Sequence, residues 1–215
     1  ELTARARNAG QRAVFLLGEL ARASLGVVLG QRDEIPDWLL TADGINNMLF
    51  LHARPYAFSI LGALLLADRR HTELEALTEG VMDLSRRVNF LLPRVSHFLY
   101  LAAAEKREGR KRAALEKLSA ALEMTLPDRI YLPFAEFGNE LVPLLVELKG
   151  TFDSEKMDGI IALCERFSEG AANIVRQAEG GTSALAPRER EIALLVKEGF
   201  QTGEIAARLF ISENT

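Results

Sequence analysis

Apolar residues recur at steps of three and four along almost all of this 215-residue chain, and helices are the element that buries such a pattern on one face. Val14, Leu17, Gly18, Ala21, Leu25 and Val28 follow it. So do Phe58, Leu61 and Leu65, then Leu74, Leu77, Val81 and Leu84, then Phe98, Leu101 and Ala102, then Leu115, Leu118 and Leu122. Strand-like alternation between turn signals is absent. The connections Asp68-Arg69-Arg70-His71 and Glu108-Gly109-Arg110-Lys111 are short and polar, so adjoining helices are expected to run antiparallel as hairpins. Sliding the sequence by about 41 residues pairs Phe58 with Leu99, Leu61 with Ala102, Asp68 with Gly109, Leu74 with Leu115, Leu77 with Leu118 and Val81 with Leu122. Small residues (Ala102, Ala103, Ala113, Ala114, Ala120 and Ala121) fall where two helices would touch.

A hairpin that buries its apolar face only against the next hairpin builds a stack. The fold class expected is therefore all-α: an α-solenoid of antiparallel helix hairpins, tetratricopeptide-like, followed by an incomplete helix-turn-helix. The period exceeds the roughly 34 residues usual for that repeat, so the register is loosely kept. One more long helix is expected over 153–179. Glu179-Gly180-Gly181-Thr182-Ser183 then places two glycines among polar residues, the best candidate for a flexible joint. This divides the chain into a helical-repeat sensor or interaction domain (1–178), a linker (179–184) and a C-terminal module (185–215).

The last stretch reads LAPREREIALLVKEGFQTGEIAARLFISENT. Pro187 suits a first helical position, where its missing N–H costs nothing. Glu189 and Glu191 favour the positive end of the helix dipole. Ile192, Leu195 and Val196 form an apolar face, and Gly199 is placed to stop the helix. A second helix is expected from Thr202 to Phe210, with Ile205, Ala206 and Leu209 on one side. Ile211 is an apolar plug in a tight turn, and Ser212 is a good N-cap for a third helix. Helix, turn and capped helix form the start of a helix-turn-helix.

These residues resemble the LuxR-type (GerE-like) helix-turn-helix. Pro187-Arg188-Glu189-Arg190-Glu191, Gly199, Glu204-Ile205-Ala206, Leu209 and Ile211-Ser212-Glu213-Asn214-Thr215 match at the family's spacings. There are departures. Ala186 stands where the family has a Thr or Ser cap, and Gly203 replaces a basic residue that could lie near a phosphate. The resemblance implies DNA contact through Thr202, Ser212, Asn214 and Thr215, with the recognition helix starting at Ser212 and cut off. A second, looser resemblance runs from Ala121 to Phe134 with Gly138 and Leu144-Leu145. It is to MalT-like regulators, which join a P-loop ATPase, a helical-repeat sensor and a LuxR-type module. That resemblance implies DNA as a partner of the full-length protein, an effector small molecule or protein on the helical repeats, and a homo-oligomer that pairs the DNA modules. The chain is thus expected to be part of a longer regulator. No Gly-x-x-x-x-Gly-Lys-Ser/Thr occurs, so no cofactor is expected in this chain, and ATP would belong to a domain ahead of Glu1.

Charge limits what this segment can do alone. The chain carries a net −4, which gives no global pull toward nucleic acid. Residues 183–215 carry Arg188, Arg190, Lys197 and Arg208 against Glu189, Glu191, Glu198, Glu204 and Glu213, a net −1. DNA affinity rests on phosphate neutralisation, so little DNA binding is expected from this half motif. The single cysteine, Cys164, cannot form an internal disulfide, which fits a cytoplasmic location. No secretory signal or bilayer-length apolar run is present, so no membrane is expected. His52, His71 and His97 lack metal-ligand spacing and are expected to be surface or partly buried side chains. No nucleophile elbow or catalytic pairing occurs, and an enzyme is not expected. Trp38, Tyr56, Tyr100 and Tyr131 are the candidates for a groove that holds an effector or partner. The rival reading is a protein-interaction scaffold that never touches DNA.

Overall fold

The computed structural model describes residues 12–184, 191–192, 194–196 and 199–209. Within them the regular structure is helical and no strand is found. The chain divides into two compact units, Glu1–Ala171 and Ala172–Thr215.

In the first unit, α1 (Arg12–Leu29) leads through 3₁₀ turns at Arg32–Glu34 and Asp37–Leu40 to α2 (Ala42–Met48). Thr41 caps α2, its hydroxyl accepting from the Gly44 N–H at 3.1 Å. Then come α3 (Arg54–Ala67), α4 (His71–Arg87), α5 (Leu91–Arg107) and α6 (Lys111–Thr125). Short α7 (Leu132–Ala135) and α8 (Val142–Leu148) precede α9 (Ser154–Ala184). Pro55, Pro133 and Pro143 sit in the first turns of α3, α7 and α8, where no backbone donor is lost.

The helices alternate in character. α3 and α5 are buried nearly all round: Ala57 through Gly62 and Leu64 through Leu66 in one, Leu99 through Glu105 in the other. A helix apolar on every side belongs between neighbours. α4 and α6 bury one stripe each, Leu74, Thr78, Val81 and Met82 in α4 and Ala114, Leu118, Ala121 and Leu122 in α6. α3 packs on α4 and α5, and α5 packs on α4, α6 and α7. Of the expected small contact residues, Ala102, Ala103, Ala114 and Ala121 are buried, while Ala113 and Ala120 are half-buried. The core continues through Leu144, Leu145, Met157, Ile160 and Cys164.

The repeat is sharper in the backbone than in the sequence. Left-handed residues close α3, α4, α5 and α6 at Arg69 (φ 58°), Asn89 (φ 52°), Gly109 (φ 76°) and Arg129 (φ 56°), twenty residues apart each time. The same pair of bonds accompanies each of them. Arg69 and Arg70 donate to Leu66 and Leu65, Asn89 and Phe90 to Arg86 and Ser85, Gly109 and Arg110 to Lys106 and Glu105, Arg129 and Ile130 to Leu126 and Thr125. This is the Schellman closure, which satisfies the last carbonyls and turns the chain back. Two helices therefore repeat every forty residues, and Arg69, not Asp68, is the counterpart of Gly109. The offset of about 41 read from sequence is one residue too long, because a one-step slip still lays apolar positions on apolar positions at helical spacing.

A second departure lies in α9. It runs through Gly180 and Gly181 to Ala184, where the sequence predicts a flexible linker. A glycine costs about 1 kcal/mol in a helix, but elongating an established helix is far easier than nucleating one. The division between the two compact units falls earlier in the same helix, after Ala171.

Candidate functional site

In the second unit, Glu191, Ile192 and Leu194–Val196 are helical. Gly199 (φ 92°) ends that stretch: its N–H donates to the Val196 carbonyl at 3.0 Å and the Phe200 N–H to Leu195 at 3.1 Å. α10 (Thr202–Leu209) follows after two residues. Glu204 reaches back to accept the Gln201 N–H at 2.9 Å, the acidic half of a capping box. Ile205, Ala206 and Leu209 are buried, and the Arg208 guanidinium lies 4.0 Å from the Phe200 ring centroid. Thr202, the first of the proposed DNA-contact residues, is exposed at the start of α10. Ser212, Asn214, Thr215 and the Pro187–Arg190 opening lie outside the described residues.

Comparison with protein families matches residues 183–215 to the family described as GerE: Bacterial regulatory proteins, luxR family. The C-terminal segment is thus similar to the luxR family. Comparison of the chain with curated proteins and with solved structures returns no match. The LuxR-type segment thus joins a family match to a local geometry of helix, glycine closure and capped second helix. Its exposed apolar residues, Leu194 and Val196, sit on the first of these helices.

The groove candidates do not converge. Tyr56 and Tyr100 line one cavity of about 470 Å³ in the first unit. Trp38 instead donates its indole N–H to a Glu19 carboxylate oxygen at 3.0 Å, and both Trp38 and Tyr131 pack against the core. The cavity is walled by α1, α3 and α5 and by the stretch from Ile130 to Glu140. Most of the wall is apolar, with Val27, Val28, Ile60, Leu66, Leu92 and Leu132 among it. Its size lies in the usual range for small-molecule sites.

Three charged groups line it, Arg107, Glu136 and Glu140. Arg107 and Glu140 form a bidentate pair, Nε to Oε1 at 2.6 Å and Nη2 to Oε2 at 2.8 Å. Arg107 also donates Nη1 to the Leu66 carbonyl at 2.9 Å, and Lys106 donates to the Glu140 carbonyl. Glu136 has no basic partner among the described residues. Its surface is accessible yet faces the cavity, and enclosure by the wall raises its carboxyl pKa. Beside it the buried Tyr100 hydroxyl, hydrogen-bonded to Ser96, is held well above the usual tyrosine range, first by burial and then by Glu136. The Phe137 ring lies 5.6 Å from that of Tyr100. Sequence reasoning missed Glu136, although a lone acid within Pro133-Phe134-Ala135-Glu136-Phe137 is a readable oddity. A second cavity, of about 640 Å³ beside α4, has charges already matched, since Arg70 and Glu73 pair with each other.

His97 corrects the expectation of a surface or partly buried histidine. It is fully buried, Nδ1 within 2.9 Å of the Thr78 hydroxyl and Nε2 within 3.3 Å of the Phe58 carbonyl. The Phe58 carbonyl only accepts, which places the proton on Nε2, and Nδ1 then shares the single Thr78 hydroxyl proton with the Leu74 carbonyl, which lies 2.7 Å from that hydroxyl. Burial pushes its pKa down to about 4. Gly62 makes room for it: a Cβ there would stand 2.9 Å from the imidazole Cε1. Cys164 is buried, donates to the Phe134 carbonyl at 3.3 Å, and has a thiol pKa pushed up to about 11, the state of an unreactive structural cysteine.

Proposed function

We propose that this chain belongs to a DNA-binding transcriptional regulator of the MalT-like class. In this reading, helices α1–α9 form a tetratricopeptide-like α-solenoid that senses an effector, and the LuxR-type segment belongs to the DNA-reading module. The observation that carries it is the family match over 183–215. The twenty-residue recurrence of helix and Schellman turn supports the solenoid part, because stacked hairpins are the architecture such a recurrence builds. The chain acts by binding and not by catalysis, in the cytoplasm and without a cofactor of its own. Effector occupancy would alter self-association and so the pairing of DNA modules on two half-sites.

Fluorescence anisotropy with labelled duplex DNA tests this on the full-length gene product at two salt concentrations. The expected result is saturable binding whose affinity falls steeply with salt, as counterion release requires. A folded full-length protein that ignores DNA at low salt would overturn the reading and leave a protein-interaction scaffold.

A further inference from the structure

We propose that the cavity between α1, α3, α5 and the 130–140 stretch binds a small organic cation, an ammonium group on an apolar body, through Glu136 and the rings around it. This rests on the reading of the helical array as the sensor and names the chemistry of its ligand.

Charge complementarity carries the inference. Of the three charged lining groups, Arg107 and Glu140 neutralise one another, and Arg107 spends a further N–H on the Leu66 carbonyl. An anion entering the cavity finds that guanidinium already taken. Glu136 is the one lining charge without a counter-ion among the described residues, so the empty cavity carries a net negative charge. A cationic ligand seated on this wall gains an ion pair with that carboxylate, which a neutral or anionic ligand of the same shape does not.

The surroundings select the kind of cation. Tyr56, Tyr100 and Phe137 share the cavity with Glu136, and aromatic faces attract ammonium groups. A metal ion would need several oxygen or nitrogen ligands, and no group of three His, Cys, Asp or Glu side chains gathers among the described residues. The remaining wall, with Val28, Ile60 and Leu132, offers apolar surface for a hydrocarbon or ring.

The test is calorimetric titration of the protein with phenethylamine, 2-phenylethanol and phenylacetate, three probes of one shape and different charge. Phenethylamine should bind saturably, with 2-phenylethanol at least tenfold weaker and phenylacetate undetected. Glu136→Gln should remove at least tenfold of the amine's affinity while leaving that of the alcohol unchanged. Should that variant misfold by circular dichroism, Tyr56→Leu provides the same comparison and is expected to weaken the amine alone. Equal binding of amine and alcohol, tighter binding of the acid, or an amine affinity unmoved by substitution overturns the proposal. So does failure of phenethylamine, tetramethylammonium and spermidine alike to bind at 10 mM, a limit of about that order being the weakest useful affinity for a ligand of this size. Amine binding with no DNA binding would sink the regulator reading alone, and DNA binding with no amine binding would sink the ligand class alone.

Discussion

The helical array and the LuxR-type segment keep their identities in opposite ways. In the array the regularity lives in the backbone. Arg69, Asn89, Gly109 and Arg129 are chemically unlike, yet each occupies the left-handed position of the same hydrogen-bonded closure. In the segment the side chains hold the pattern: Gly199, Glu204, Ile205, Ala206 and Leu209 sit at family spacings, and each has a local job in closing, capping or burying. A stack of hairpins asks only that apolar stripes meet, which many sequences satisfy. A DNA-reading module asks for particular groups at particular places, which few do.

The sharpest way to break this comparison is at the centre of the array. Leu118 is fully buried on α6, and Leu118→Ala should cost about 2–5 kcal/mol by chemical denaturation. A loss under 1 kcal/mol would mean that the stripe is loosely packed. Acid comes next. The native state keeps His97 neutral down to about pH 4, whereas the unfolded chain takes up a proton below about pH 6.5. Stability therefore rises with pH across that window and is lost on acidification, by about 3 kcal/mol at pH 4 from this group. Comparing wild type with His97→Gln isolates the contribution, since the variant should lack that part of the slope. The smallest effect tests the turns themselves. Gly109 has open space around its Cβ position, so Gly109→Ala should cost about 1 kcal/mol from backbone strain alone, and Arg69→Gly should gain up to about as much. A cost at Gly109 matched by a gain at Arg69 would establish that the backbone closure carries the regularity. A loss on Arg69→Gly would place the regularity in side-chain packing.

Helical class and the polar turns near residues 68 and 108 were legible in the sequence because periodicity and turn residues are local signals. The forty-residue spacing was blurred because three of the four left-handed positions hold Arg, Asn and Arg, and no glycine flags them. Gly180 and Gly181 lie within α9, since elongating an established helix tolerates glycines that would hinder its nucleation. The burial of His97 was invisible because its partners are Thr78, Phe58 and the gap at Gly62, all distant in sequence. The same holds at the cavity. Tyr56 and Tyr100 could be suspected as aromatics, but only the tertiary structure separates them from Trp38 and Tyr131 and sets Glu136 beside them.

The contact between Gly62 and His97 has a hereditary consequence. With the imidazole 2.9 Å from where a Cβ would stand, position 62 cannot gain a side chain while the ring stays in place. A larger residue at 62 displaces the ring from Thr78 and Phe58, and a bulkier one at 97 has nowhere to go. Position 62 is thereby held to glycine for as long as position 97 carries the ring, whereas a smaller residue at 97 releases it.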